Sequence, residues 1–388
     1  MPDRIADRGW QVGRMLVLVL CAGCASGHFP LGRGPAVSGP VWRFAVSGDS
    51  RNCGDVVMPA IATDALRHQI AFYWHLGDFR KGTDVDEDMH QQYQGALSLD
   101  DYRRDAWGDF LVHQITPFGL VPAYLGIGNH ELYMSATPAQ SRANYLAQFA
   151  YWLDAPDLRA QRLADNPADA TLQSYYHWQH GGVDFVYLDN ANEDGFGAAQ
   201  MQWFEQVLAR AQRDAHVHSL VVGMHRALPN SLACGHSMNG DRGHESEQSI
   251  KSGRTAYRDM LQWSRESGKP VYVLASHSHF FMDGTFNTPY WSSRGVLPGW
   301  IVGTAGARRY PLPRNLPPGI QAKTQVSGYL LGTVAADGSI QFAFQEVDAK
   351  AVPASVTASY GKQFVEWCFR ENGDTGAPAP PPDSCFER

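Results

Sequence analysis

Arg43-Phe44-Ala45-Val46-Ser47-Gly48-Asp49-Ser50-Arg51 is the stretch on which the reading of the whole chain turns. Residues 43–47 form a short β-rich run, and Gly48 lets the chain turn sharply as that run ends. A carboxylate and a guanidinium, Asp49 and Arg51, follow at once. Four more polar clusters stand in the same relation to an apolar run: Gly77-Asp78, Gly128-Asn129-His130-Glu131, His225, and His277-Ser278-His279. In open α/β sheets, functional groups collect at the carboxyl ends of strands, where loops face a common crevice. The pattern therefore gathers two carboxylates, one Asn amide and several imidazoles in one place.

The surrounding sequence alternates strand-like and helix-like patterns, which means an α/β fold. Strands are expected at 43–47, 71–76, 122–127, 175–178, 184–189, 219–224, 271–275 and 300–303, and helices at 57–69, 139–152, 198–211 and 254–267. Two further runs, 329–335 and 340–346, are joined by Ala336-Asp337-Gly338, a hairpin signal that closes the domain with an antiparallel pair. The expected organisation is an export signal at 1–24, a linker at 25–40, one catalytic domain at 41–348, and an irregular Pro-rich tail with its own disulfide at 349–388. The insertion 79–120 carries the acidic run 84–88, read as a solvated loop. The loop 226–253, rich in Gly, Ser, Asn and His, reads as facing substrate.

Composition sets the bounds. With 388 residues, 44% of them hydrophobic, the chain can bury a sizeable core, which excludes a disordered protein. A net charge of −7 and the absence of a long basic run argue against nucleic acid as a partner. Arg4, Arg8 and Arg14 precede a short apolar run at 15–20, followed by small residues up to Cys24, the layout of an export signal too short to span a bilayer. Leu20-Cys21-Ala22-Gly23-Cys24 is similar to a bacterial lipoprotein cleavage box, so Cys24 is the expected site of lipidation and membrane attachment. Beyond the signal stand Cys53, Cys234, Cys368 and Cys385, an even count that suggests disulfides in an exported protein. Cys368 with Cys385 would close the Pro-rich segment, a loop worth about 3 kcal/mol, leaving Cys53 with Cys234. Four cysteines allow three pairings, so the connectivity stays open.

Oxygen and nitrogen donors without thiolate suit Mn, Fe or Zn. Two such ions about 3.5–4 Å apart can generate a hydroxide and stabilise in-line displacement at phosphorus, with Asp78 as a shared carboxylate. Each cluster alone is a weak signal, since Gly-Asp after a strand is ordinarily a turn and a lone histidine ordinarily structural. Their order and spacing together resemble the calcineurin-like metallophosphoesterase superfamily, whose pattern runs D-x-H, G-D, G-N-H-[D/E], H, G-H-x-H. The resemblance covers residues 43–346 and includes the Gly-rich Val302-Gly303-Thr304-Ala305-Gly306.

That resemblance implies a four-layer α-β-β-α sandwich of two mixed sheets flanked by helices. It implies Asp49, Asp78 and His279 as ligands of a first metal, and Asp78, Asn129, His225 and His277 as ligands of a second. His130 would protonate the leaving group or stabilise its charge, and the reaction would be attack on phosphorus by metal-bound hydroxide. Three departures stand out. Arg51 replaces the D-x-H histidine and cannot ligate a metal, although its guanidinium suits bidentate phosphate binding and makes it a catalytic candidate. Lys81 replaces the tyrosine ligand of purple acid phosphatases and the histidine-supporting aspartate of protein phosphatases, a support that Glu131 could supply instead. Ser276 replaces a glycine. Arg226, Asn52, His236 and His244 are further candidates for substrate contact, and the remaining histidines read as structural.

Signatures of competing enzymes, Gly-x-Ser-x-Gly, His-Glu-x-x-His and Gly-Lys-Ser/Thr, are missing. The expected function is phosphoester hydrolysis, with a monoester favoured over a diester. The rival is an exported binding or scaffold protein that keeps the fold and has lost catalysis.

Overall fold

The computed structural model describes residues 42–169, 171–239 and 246–373. Residues 1–41, which hold the expected export signal and Cys24, lie outside this range, as do Cys385 and His244. Twelve strands are named here in chain order: β1 Trp42–Ser47, β2 Ile70–His75, β3 Ala123–Leu125, β4 Tyr176–His180, β5 Val183–Leu188, β6 Ser219–Met224, β7 Val271–Ala275, β8 Phe281–Asp283, β9 Gly299–Val302, β10 Gln321–Lys323, β11 Ser327–Val334 and β12 Ile340–Val347. They form one sheet in the order β12-β11-β1-β2-β3 and a second in the order β10-β8-β9-β7-β6-β5-β4. Both sheets are mixed. β1, β2 and β3 run parallel, and β11 pairs antiparallel with both β1 and β12, while β5, β6, β7 and β9 run parallel and the pairs β4–β5, β8–β9 and β8–β10 are antiparallel.

Strand alternation separates two cores, because successive side chains leave opposite faces of a sheet. In β5, Phe185 and Tyr187 join the core between the sheets, whereas Val186 and Leu188 join the outer core under helices Ala198–Arg213 and Glu247–Ser267. β7 divides the same way, Tyr272 and Leu274 inward, Val271, Val273 and Ala275 outward. The inner layer is aromatic: Trp178 stacks on Tyr124 at 3.9 Å, and Phe72 meets Phe44 at 5.3 Å and Phe185 at 5.0 Å. On the far side, helix Gly54–Arg67 covers the first sheet. The layers are those of the expected α-β-β-α sandwich.

Three expectations need correction. The chain beyond residue 349 is not irregular as far as it is described. Helices Ala354–Tyr360 and Lys362–Arg370 bury Val352, Tyr360, Val365 and Cys368 against helix Gly54–Arg67. The Pro bias that suggested a tail lies after residue 373, and Pro353 serves only as a helix N-cap residue. That packing also sets the disulfide: Cys53, at the N-cap of helix Gly54–Arg67, bonds to Cys368 across 5.8 Å between Cα atoms. Cys53–Cys234 and Cys368–Cys385 are therefore not the pairs, and Cys234 is disulfide-bonded as well.

The acidic run 84–88 is likewise not a solvated loop. Asp86 and Asp88 are fully buried with Arg80, whose guanidinium lies 2.9 Å from Asp88, 2.6 Å from Asp55 and 2.6 Å from Asp109. Asp88 gains a charge-assisted hydrogen bond from that guanidinium, while Asp86 accepts from the Tyr102 hydroxyl and the Asn52 backbone amide, each at 2.6 Å.

Candidate metal centre

The carboxyl ends of β1, β2, β6 and β7 and the end of β3 converge on one crevice between the sheets. The loops that leave them continue the ladders beyond the strands: the Asp49 amide donates to the Gly77 carbonyl at 2.9 Å, Ser50 to Asp78 at 3.0 Å, and Ser276 to His225 at 2.9 Å. Asp49, Asp78 and His277 all sit at positive φ, 61°, 61° and 63°. Such backbone is costly for residues other than glycine and clusters where a side chain must be aimed. Gly128 is needed for closeness. A Cβ there would lie 2.3 Å from Asp78 Oδ1 and 2.5 Å from the Asp78 amide.

The six expected metal ligands, with His130 and Arg51, arrive in this crevice. Asp49, Asp78, His225 and His277 each bring a donor atom within 4.8 Å of the others. His225 Nδ1 donates to the Leu76 carbonyl at 3.0 Å, which leaves Nε2 of a neutral ring with a lone pair. Around that Nε2 stand Asn129 Oδ1 at 2.9 Å, His277 Nδ1 at 3.0 Å and Asp78 Oδ1 at 3.3 Å. Acceptors converging on one point need a cation among them. Asp49 Oδ1 and Asp78 Oδ2 are buried without any hydrogen-bond partner, a costly state unless a positive charge satisfies them. The donor set thus fits a divalent transition ion. A second acidic group, Asp55, Asp109 and His113, also has metal-like spacing, but Arg80 stands against both carboxylates.

Electrostatics agree. Burial alone would raise both carboxyls; His279 and His225 outweigh it at Asp49, and His225, His130 and Arg51 outweigh it at Asp78, so both lie below their ordinary range. Burial, then the neighbouring His225, keeps His277 well below the imidazole range; burial, then Arg51, lowers His279. His225 is lifted, since Asp78 overcomes its burial.

Arg51 is buried, 8% exposed. Its guanidinium donates to His279 Nε2 at 2.8 Å and to His130 Nε2, and its Nε is 3.7 Å from Asp78 Oδ2. His279 Nδ1 donates to the Arg308 carbonyl at 2.6 Å, and His130 Nδ1 donates to the Lys81 carbonyl. Glu131 therefore does not support His130. It accepts the amides of Asp78, Phe79 and Gly128 at 2.8, 2.8 and 2.7 Å, pinning two of the site loops together. Burial, then Asp78, raises it to about 7.

With 80% of this chain aligned to 52% of its own, a purple acid phosphatase from yellow lupin (Lupinus luteus) seeds superposes with a TM-score of 0.52 at 15% identity. PhoD superposes with a TM-score of 0.50 at 13% identity, over 87% of this chain and 78% of its own. The chain has the metallophosphoesterase fold. It spans about half the length of the lupin protein. No family model matches the sequence, and no curated protein does.

Within this fold the structure adds residues that spacing did not reveal. Tyr310 stacks on His279 at 3.9 Å between ring centroids and on His236 at 4.9 Å. An isolated tyrosine in a loop carries no motif, so nothing in the sequence marked it. Of the second-rank candidates, Asn52 is bound to Asp86, Glu87 and Arg308, and Arg226 is buried against the carbonyls of Asn190 and Asn192. Both are occupied in holding loops. His75, read as structural, is fully buried beneath the site and paired with Ser50 Oγ at 3.0 Å.

Proposed function

We propose that the chain is a metal-dependent phosphoester hydrolase, a phosphomonoesterase in preference to a diesterase, acting at the crevice formed by Asp49, Asp78, Asn129, His225, His277 and His279. The observation that carries this reading is the convergence of lone pairs on His225 Nε2 together with the unpartnered oxygens of Asp49 and Asp78. Mn, Fe or Zn bound there would supply a hydroxide at neutral pH and neutralise charge on the phosphoryl oxygens. His130 stands at the mouth, its side chain 14% exposed and its ring oriented by the Lys81 carbonyl. Burial, then Arg51, holds it down to about 4 in the free protein. An anionic phosphoryl group beside it acts in the opposite direction, so its charge would favour protonation of His130 Nε2 from solvent, in place of the hydrogen bond from Arg51, and that proton could pass to the leaving oxygen. Arg51 supports a monoester, because a buried guanidinium favours the more highly charged dianion.

The test is hydrolysis of an aryl phosphate and a bis-aryl phosphate by the metal-loaded protein. Faster turnover of the first is expected, with His130→Ala slowing it about 10² to 10⁴-fold while the metal stays bound. Metal retained with neither ester cleaved would instead favour the non-catalytic binding protein. We also propose that residues 1–24 direct export and that Cys24 carries lipid. The Cys53–Cys368 disulfide supports an oxidising compartment. Among the described residues no helix is long and apolar enough to cross a membrane. A mature chain beginning at any residue but Cys24 would overturn the lipid attachment.

A further inference from the structure

We infer that this crevice holds one metal ion, and that the guanidinium of Arg51 permanently fills the place where a second would sit. The inference rests on the metal-dependent reading above and concerns its stoichiometry.

The donors divide into two groups. Asp78 Oδ1, Asn129 Oδ1, His225 Nε2 and His277 Nδ1 face one another with no cation of the protein's own among them. Four such ligands complete a site for one ion. The other group is Asp49 Oδ1, Asp78 Oδ2 and His279 Nε2, with Asp49 Oδ1 3.2 Å from His279 Nε2. Here a cation is already present. His279 has one lone pair to offer, since its Nδ1–H is committed to the Arg308 carbonyl, and that lone pair receives Arg51 Nη2 at 2.8 Å. The other Nη of Arg51 is held by His130, and its Nε faces Asp78. Tyr310, stacked on the His279 ring, closes the outer side.

Three physical facts keep an ion out. A guanidinium does not deprotonate, so it cannot become a ligand. Its charge repels a divalent ion at contact distance in a buried site, where screening is weak. Lys81 does not replace the missing donor, because it is paired with Glu87 at 2.8 Å and Asp84 at 3.3 Å. A fixed charge also has a use. It gives His279 and Asp78 a positively charged neighbour whether or not metal is bound, and it leaves positive charge at the phosphoryl position that cannot be chelated away.

Elemental analysis of the full chain, purified without chelator and reconstituted separately with Mn and Zn, reads this directly. One ion per wild-type chain is expected, and two in Arg51→His, where an imidazole replaces the guanidinium. The Mn-loaded wild type should give the electron paramagnetic resonance signal of an isolated ion, and Arg51→His that of a coupled pair. His279→Ala should keep its one ion, whereas His277→Ala should lose it. Two ions per wild-type chain, or a coupled pair in its spectrum, would overturn the inference, and so would loss of the ion in His279→Ala. One ion without ester hydrolysis sinks the hydrolase reading alone. Two ions with hydrolysis sinks this inference alone, and no ion sinks both.

Discussion

Replacing Arg80 with methionine removes the only guanidinium that the structure places among Asp55, Asp88 and Asp109, and should destabilise the fold by about 3–5 kcal/mol at neutral pH. Three charge-assisted hydrogen bonds at about 1.5–3 kcal/mol each set the gross scale. The carboxyls left behind limit the net loss by taking up protons. Burial already pushes Asp88 well above its ordinary range and Asp55 upward, and Arg80 restrains both. Without it they rise further. A carboxyl raised in the folded state keeps a proton that the unfolded chain releases above about pH 4, so its penalty grows as pH rises towards the folded value. One additional proton held across two pH units amounts to about 2.7 kcal/mol. Urea unfolding followed by tryptophan fluorescence, at pH 5.5 and 7.5, measures both numbers. The loss should be larger at pH 7.5. A loss below about 1 kcal/mol, or one equal at the two pH values, would refute the view that this arginine neutralises a buried acidic cluster.

Two further outcomes follow from features far from the crevice or fixed by its packing. His177 is buried between Asp184 at 2.8 Å and Asp165 at 2.6 Å, and these carboxylates, Asp184 foremost, overcome its burial and lift it to about 9. Asp184 is itself held up by burial while Asp165 is lowered, so the stabilisation is shared unevenly. A histidine raised in the folded state stabilises fully below about pH 6.5 and loses that contribution as pH rises through about 9, about 3 kcal/mol in all. His177→Asn should flatten the stability profile over that window, and an unchanged slope would count against the ion pair. The Cys53–Cys368 disulfide spans 315 residues, for which chain entropy gives about 5–6 kcal/mol as an upper figure. The double variant Cys53→Ser, Cys368→Ser should lose at least about 2 kcal/mol in urea, and a midpoint equal to the wild type would show that the packed helices alone hold the junction.

The fold was legible wherever a periodic signal and a turn residue coincided. The runs 184–189, 219–224 and 271–275 became β5, β6 and β7 almost unshifted, because buried parallel strands read as continuous apolar runs. The hairpin at Asp337-Gly338 formed as its dipeptide required, with Gly338 at φ 78°. β8 and β10, three residues each, were too short to show a period. Helices Ala354–Tyr360 and Lys362–Arg370 were hidden by the proline bias of the segment that follows them. The burial of Asp86 and Asp88 could not be read from a local charge run, since it depends on an arginine brought close by the turn after β2.

The site divides along a similar line. Which residues meet was readable, because strand-end position alone carries Asp49, Asp78, Asn129, His225, His277 and His279 to one crevice. What each does there depends on hydrogen-bond direction, which spacing does not encode. Glu131 follows His130 directly, yet it serves the backbone of the neighbouring loops, and the carbonyl of Lys81 orients the histidine instead. Arg51 shows the same limit more sharply. From sequence it is a missing metal ligand and a candidate to hold phosphate. In the structure two imidazoles, each with its other nitrogen committed to a carbonyl, turn their remaining lone pairs onto it. A decayed metal site would leave His279 and His130 without a cation to bind. Here both are oriented to a permanent one, and that favours a site rebuilt around a fixed charge over a site that has lost its function.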